Sequence, residues 1–139
     1  MASDSNAFRW TEAYTVNITH LDEQHQGLFA TVEELNEALR AGRGSEVLDP
    51  ILTKLVDYTV THFAAEEALM EEYDFPGASA HRDQHQAFRE KISVFLEDYR
   101  SGKPGVPVKL MFFLQNWLKE HIRRTDKQYG GFLNARGVH

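Results

Sequence analysis

The sequence predicts an all-α protein, an up-down-up-down antiparallel four-helix bundle preceded by an irregular N-terminal arm. Apolar residues recur at steps of three, four and seven in four long segments, and this is the period of one helix face. No segment alternates apolar and polar residues as a half-buried strand does. Connections of about four to six residues join the segments, and connections this short favour antiparallel neighbours.

The first helix is predicted over residues 19–41. Thr19 and Asp22 have the spacing of a capping box and are expected to begin it. Gly42 and Gly44 are expected to end it. Its apolar face comprises Leu21, Leu28, Val32, Leu35 and Leu39.

The second helix is predicted over residues 46–73, ahead of a turn that contains Pro76. The sequence defines the first residue of this helix only to within about one turn, because either of two side chains could cap it. Ser45 and Asp49, both upstream of Pro50, are good N-cap residues.

Two further helices are predicted over residues 77–100 and 107–123, with a helical extension or tail after the last one. Pro107 is well placed in a first helical turn. The arm covers about residues 1–18, and its apolar residues, such as Trp10, are expected to pack across the bundle. Residues 1–139 are predicted to form a single domain.

The composition argues against several classes of function. Lys and Arg number 15 against 21 Asp and Glu, a net charge of −6, which disfavours binding to nucleic acid or to an anionic membrane. No residue is cysteine, so disulfides and thiolate metal sites are excluded. The sequence shows neither a signal peptide nor a membrane-length apolar run, and a cytoplasmic location is expected. The unusual feature is the seven histidines.

Most of these histidines fall on the inner faces of the predicted helices, at positions that continue the apolar stripes. Counting residues from the shared turns places the inner histidines in one layer, within about one or two ångströms along the bundle axis. The inner set is His25, His62, His81, His85 and His121. His20 and His139 lie off these faces and are expected to be solvated.

A carboxylate joins this layer, because Glu66 follows His62 by four residues on the same helix face. An unpaired buried carboxylate is very costly and needs a cation or strong donors beside it. Five imidazoles and a carboxylate in one layer therefore predict a metal site. Five imidazoles, two bridging carboxylates and one bridging oxygen would fill all but one position of two octahedral ions.

Either of two residues near His121 could provide the second carboxylate. Glu120 is adjacent and points about 100° away on a regular helix, while Asp126, five residues on, lies about 140° away. Asp126 fits only if the chain underwinds or breaks near residues 123–125.

Four segments in this order and spacing resemble the bacterial members of the hemerythrin family. They are ITHLDEQH at 18–25, HFAAEE at 62–67, HRDQH at 81–85 and WLKEHIRRTDKQYG at 117–130. The resemblance extends from about Trp10 to Gly130.

This resemblance implies two iron ions joined by an oxo or hydroxo group and bridged by Glu66 and Asp126. The three histidines that would complete a six-coordinate iron are His81, His85 and His121. His25 and His62 would hold a five-coordinate iron, where dioxygen binds in the family. Neutral imidazole and carboxylate ligands suit Fe(II).

Four apolar residues lie within one helical turn of these histidines and could wall an oxygen pocket. They are Phe29, Phe63, Trp117 and Leu118. An apolar wall would exclude the water and protons that promote loss of a reduced oxygen species. Ordinary core packing is the alternative explanation for each of them.

The predicted function is reversible dioxygen binding, for storage or delivery, by a protein that is not an enzyme. The alternatives are a diiron enzyme acting on peroxide or nitric oxide, an oxygen-sensing module, or zinc in place of iron. An imidazole-rich site disfavours the enzyme, because enzymatic diiron bundles are carboxylate-rich. Dioxygen is the expected partner, and no protein recipient can be named. Glu67, Glu71 and Glu72 are expected to form a solvated face.

Overall fold

The computed structural model describes residues 10–139, with the backbone alone at Arg124. Every regular element in these residues is a helix and none is a strand, which confirms the predicted all-α bundle. The four long helices are α1 (Thr19–Arg40), α2 (Gly44–Glu72), α3 (Ala78–Arg100) and α4 (Val106–Glu120). No helix in the described part of the chain is both long and apolar enough to cross a membrane.

The predicted capping box at the start of α1 is wrong. Ile18 is the N-cap residue, and no side chain caps the helix. Asp22 instead accepts hydrogen bonds from the Thr15 hydroxyl and, at 2.9 Å, from the backbone N–H of Val16. The arm supplies these donors, so Asp22 anchors the arm to α1.

Helix α2 begins at Gly44, earlier than either cap that the sequence indicated. A hydrogen bond of 2.7 Å from the backbone N–H of Arg43 to the carbonyl oxygen of Ala38 closes the turn before α2. Gly42 permits this turn with a φ of 72°, a left-handed conformation that glycine adopts without strain. Pro50 consequently lies inside the helix and not at its first turn.

The chain remains helical after α4. Residues His121–Asp126 form a π-helix, and α5 (Lys127–Asn134) follows directly. A π-helix has more residues per turn than an α-helix and commonly marks a functional site. This wider turn changes the direction of every side chain that follows it.

Two apolar clusters fill the bundle interior. The larger one contains Leu28 of α1 and Phe63 of α2, and the smaller one contains Leu21 and Met70 from the same two helices. Along α1, His25 lies between Leu21 and Leu28 in sequence. The polar layer therefore separates the two clusters.

The arm packs on both clusters. Trp10 contacts the larger cluster, which confirms its predicted packing role, and Val16 is buried in the smaller one. Gly130 of α5 brings the two backbones together, since a Cβ there would lie 2.9 Å from the carbonyl oxygen of Val16. The part of the arm before residue 10 lies outside the described residues.

Candidate metal centre

Seven buried polar side chains meet between the two clusters, and none is more than 4% exposed. They come from α1, α2, α3 and the π-helix, so four separate stretches of chain contribute to one site. The seven are the predicted ligand residues, His25, His62, Glu66, His81, His85, His121 and Asp126.

The two oxygens of Glu66 face different sets of histidines. Oε2 lies 3.1 Å from Nε2 of His25 and 2.7 Å from Nε2 of His62. Oε1 lies 3.0 Å from Nε2 of His85 and 3.3 Å from Nε2 of His81. One carboxylate thus stands between two groups of imidazole nitrogens.

Asp126 divides the histidines in the same way. Its Oδ2 atom lies 3.2 Å from Nε2 of His25. Its Oδ1 atom lies 3.0 Å from Nε2 of His81 and 3.0 Å from Nε2 of His121. The site therefore comprises a two-imidazole group and a three-imidazole group that share both carboxylates.

The π-helix explains why Asp126 and not Glu120 enters the layer. Five residues of a π-helix make about one turn, so Asp126 returns to the face of His121, which a regular α-helix would prevent. Glu120 is exposed and lies outside the layer. The sequence allowed Asp126 to reach the layer only if the helix underwinds near residues 123–125. The π-helix provides this underwinding.

Two glutamines orient ligand rings by contacting the ring nitrogen that does not face the carboxylates. The Oε1 atom of Gln24 contacts Nδ1 of His62, and Oε1 of Gln84 lies 2.7 Å from Nδ1 of His121. An amide oxygen only accepts hydrogen bonds, so each Nδ1 carries the proton and each Nε2 keeps its lone pair for a metal. Thr125 also donates its hydroxyl to Gln84, at 3.1 Å.

Glu67 plays the same part for His85, and its predicted place on a solvated face is wrong. Its Oε2 atom lies 3.0 Å from Nδ1 of His85 and accepts a hydrogen bond from Arg89 at 3.2 Å. Glu67 is partly buried because α2 and α3 pack side by side here, whereas Glu71 and Glu72 are exposed.

Two tyrosines beside the site were not among the residues predicted from sequence. Tyr129 donates a hydrogen bond from its hydroxyl to Oε2 of Glu66 at 2.9 Å. The ring of Tyr58 stacks on that of His62, with centroids 4.5 Å apart. The available signal was spacing, since Tyr129 follows Asp126 by three residues and Tyr58 precedes His62 by four.

Two of the four proposed wall residues contact ligand rings, and the other two are buried in the core. Phe63 stacks on His85 with ring centroids 3.7 Å apart, and Trp117 stacks on His121 at 4.1 Å. Phe29 and Leu118 are buried in the larger apolar cluster. Aromatic carbon therefore meets the rings of His85 and His121 directly.

The carboxylates create a negative potential at the imidazole nitrogens. Burial alone would lower the pKa of His25, but Asp126 and Glu66 outweigh it and raise the pKa to about 10. The same two carboxylates, again acting against burial, raise the pKa of His81 to about 9. At His62, burial outweighs Glu66 and lowers the pKa. A potential that stabilises a proton on buried imidazoles also stabilises a metal cation there.

The residues present fit two metal cations. Both oxygens of Asp126 are buried, and neither accepts a hydrogen bond of good geometry within the described residues. Two fully buried carboxylates need positive charge nearby, and metal cations supply it. The donors are nitrogen and oxygen without sulfur, a set that suits iron.

Comparison with known proteins places this geometry in a family. The family model for the hemerythrin HHE cation binding domain matches residues 16–133. A bacteriohemerythrin of Methylococcus capsulatus is 31% identical over 127 residues, covering 91% of this chain and 96% of the relative. A bacteriohemerythrin of Pseudomonas aeruginosa is 31% identical over 120 residues, and the alignment covers 86% of this chain and 77% of the relative.

A solved structure shows the same similarity. The crystal structure of a wild-type hemerythrin aligns with a TM-score of 0.79 at 28% identity, covering 88% of this chain and 94% of the other. Since the family model covers most of the 139 residues, the chain belongs to the hemerythrin family of HHE cation binding domains.

Proposed function

We propose that this protein binds dioxygen reversibly at a pair of iron ions, as a carrier, store or delivery protein and not as an enzyme. The observation that carries the proposal is the division of five Nε2 atoms around two shared, fully buried carboxylates. Glu66 and Asp126 each present one oxygen to either group. Both would bridge the two irons, with an oxo or hydroxo group as the third bridge.

The unequal number of imidazoles in the two groups is our reason for placing dioxygen on one side of the site. The three-imidazole group, His81, His85 and His121, would complete the coordination of one iron. His25 and His62 would leave the other iron one ligand short of octahedral. Bound as ferrous ions, the pair would supply the electrons for dioxygen binding, and we place that binding on the side of His25 and His62.

The surrounding side chains favour reversibility. Phe29, Phe63 and Leu118 are buried, so they exclude bulk water and its protons from the neighbourhood of the site. Gln24 holds the His62 ring in one orientation through Nδ1, which keeps Nε2 directed at the site. Tyr129 holds one oxygen of Glu66 in place.

Metal analysis combined with absorption spectroscopy tests the proposal. Protein expressed with iron should contain two iron ions per chain. The reduced protein should gain a visible band in air and lose it under argon over repeated cycles. His62→Ala should lose the band, while His139→Ala, which changes an exposed histidine away from the site, should keep it.

Three outcomes would contradict the proposal. Native protein that contained two zinc ions and no iron would exclude an iron-based oxygen carrier. A band that formed once and did not reverse would exclude a carrier. Sustained turnover of peroxide or nitric oxide, lost in His62→Ala, would make the protein an enzyme.

A further inference from the structure

Arg89 is a cation that meets His85 through a single oxygen atom. Its Nη2 atom donates a hydrogen bond of 3.2 Å to Oε2 of Glu67, and the same oxygen lies 3.0 Å from Nδ1 of His85. Arg89 follows His85 by four residues, so both side chains leave the same face of α3. The Glu67 carboxylate therefore stands between an imidazole of the three-imidazole group and a positive charge.

The acceptor at Nδ1 differs between the rings of the site. The partners of His62 and His121 are neutral amide oxygens, from Gln24 and Gln84. Of the rings with a side-chain acceptor at Nδ1 in the described part of the chain, only His85 faces a charged one. A carboxylate accepts a stronger hydrogen bond than an amide does, and it increases the electron donation of the ring to a bound metal.

Three contacts fix the position of the Arg89 guanidinium. Besides the bond to Glu67, Nη1 donates to Oε1 of Gln86 at 3.5 Å, and the guanidinium carbon lies 5.4 Å from the ring centre of Phe63. The side chains of Arg89 and Glu67 are 34% and 22% exposed, so both reach solvent. Because an ion pair in contact with solvent contributes little to stability, the pair is not explained as a support of the fold.

We infer that Arg89 is a positioning residue that limits, through Glu67, how strongly His85 donates electrons to a metal ion in the three-imidazole group. A guanidinium on the carboxylate oxygen draws negative charge away from the hydrogen bond with Nδ1. Weaker donation from His85 favours the ferrous over the ferric state of a bound iron. This inference rests on the proposed function, because it assumes that the group binds a metal ion.

The limit set by Arg89 serves an oxygen carrier. Reversible binding requires that the ferrous pair be recovered each time dioxygen leaves. A carboxylate at His85 with no cation beside it would favour the ferric state and with it irreversible oxidation. Arg89 opposes this carboxylate from the solvent side, without contacting the metal ligands themselves.

A redox titration of the iron-loaded protein tests the sign of the effect. Arg89→Gln keeps an N–H donor for Glu67 and removes the charge, so the midpoint potential should fall. Arg89→Lys keeps the charge and should have a potential close to that of the unaltered protein. Arg82→Gln is the matched control, because it removes the same charge from an exposed position of α3. Its potential should not move.

A second measurement uses Zn²⁺ as a diamagnetic probe that does not change its oxidation state. In chelator-treated protein reloaded with Zn²⁺, the NMR signal of the proton on Nδ1 of His85 should move downfield in Arg89→Gln and upfield in Glu67→Gln. In the Glu67→Gln background, Arg89→Gln should lose most of its effect on this proton and on the potential. Urea unfolding of the metal-free Arg89→Gln protein should match that of the unaltered protein.

Three outcomes would overturn the role of Arg89. A potential that rose in Arg89→Gln would mean that the arginine only holds Glu67 in place. Equal falls in Arg82→Gln and Arg89→Gln would mean that any positive charge on α3 has the same effect. An undiminished effect in the Glu67→Gln background would mean that Arg89 does not act through the carboxylate.

The Zn²⁺ measurement separates this inference from the proposed function, because it depends on neither iron nor dioxygen. A downfield shift in a protein that does not bind dioxygen reversibly would contradict the proposed function and support the role of Arg89. Reversible dioxygen binding with neither the shift nor the fall in potential would exclude the role of Arg89 alone.

Discussion

The hydroxyl of Tyr129 donates a hydrogen bond to Oε2 of Glu66 at 2.9 Å, deep in the protein. That oxygen also faces His25 and His62, so the tyrosine contacts the half of the site where dioxygen is proposed to bind. The low-polarity surroundings and the nearby carboxylate raise the pKa of Tyr129, which keeps its hydroxyl a hydrogen-bond donor at neutral pH.

Tyr129→Phe removes this hydrogen bond and little volume. We expect metal affinity to fall about tenfold, because a partner that holds a ligand carboxylate commonly contributes that much. A competition titration with a chelator measures it. Tyr73→Phe is the control, since Tyr73 packs on the same apolar cluster and its hydroxyl makes no hydrogen bond to either carboxylate. Equal affinities for the two variants would rule out this role of Tyr129.

Glu67→Gln retains an acceptor for His85 but removes the negative charge. The His85 ring becomes a weaker electron donor, so the ferric state of a bound iron should be less stabilised. We expect a higher midpoint potential in a redox titration and up to about tenfold weaker metal binding. Glu71→Gln, on the exposed face of α2, should change neither. A potential that did not move would show that the charge is not transmitted through His85.

Phe63→Ala should reduce both stability and the lifetime of the reduced, oxygen-exposed protein. Phe63 is fully buried against His85, and truncation of such a ring costs about 3–5 kcal/mol. Urea unfolding measures the first effect, and the rate of irreversible oxidation in air measures the second. Phe112→Ala serves as the control because Phe112 is 57% exposed. Unchanged oxidation in a folded Phe63→Ala protein would contradict the wall role.

Gly130→Ala should loosen the arm from α5. The new Cβ would meet Val16 at 2.9 Å, and relief of such overpacking costs about 1–3 kcal/mol. Gly131→Ala is a matched control in the same helix, since its Cβ would meet nothing within 4 Å and alanine favours the helix. Thermal unfolding of both variants checks the difference, and equal melting temperatures would contradict it.

Protein freed of metal should lose stability as the pH rises toward 10. His25 and His81 have pKa values raised from 6.5 to about 10 and about 9, so their contribution is complete below 6.5, declines as the pH rises above it, and is gone above about 10. The carboxylate pKa values are lowered by the histidines against burial, so their contribution persists until the pH falls below the usual range of Asp and Glu. Urea unfolding at pH 6, 8 and 10 measures the loss.

Metal-loaded protein is the control for this pH series. Bound metal requires deprotonated imidazoles, so the loaded form should keep its stability at pH 10 and release metal as the pH falls. A metal-free protein that was more stable at pH 10 than at pH 6 would contradict the assigned direction.

Several features of the site depend on contacts that no local pattern contains. Glu67 looked solvated because it lies beside exposed glutamates in sequence, yet α3 covers it and provides His85 and Arg89. Asp22 looked like a capping residue because Thr19 precedes it by three, yet the arm supplies stronger donors. In both cases a partner distant in the chain competes with the local one.

The sequence by itself determined the four-helix bundle and the common height of the five inner histidines. These follow from a period of 3.6 residues and from counting along helices, which are local properties. Counting along a regular helix could not choose between Glu120 and Asp126, and the family resemblance implied Asp126. The tertiary structure shows the turn that brings Asp126 into the layer, and only it decided which oxygen of each carboxylate faces which imidazoles. The π-helix turn brings Asp126 onto the face of His121, and this turn packs against the arm, which is distant in the chain. Ring and carboxylate orientations are likewise settled by residues that only the fold brings together.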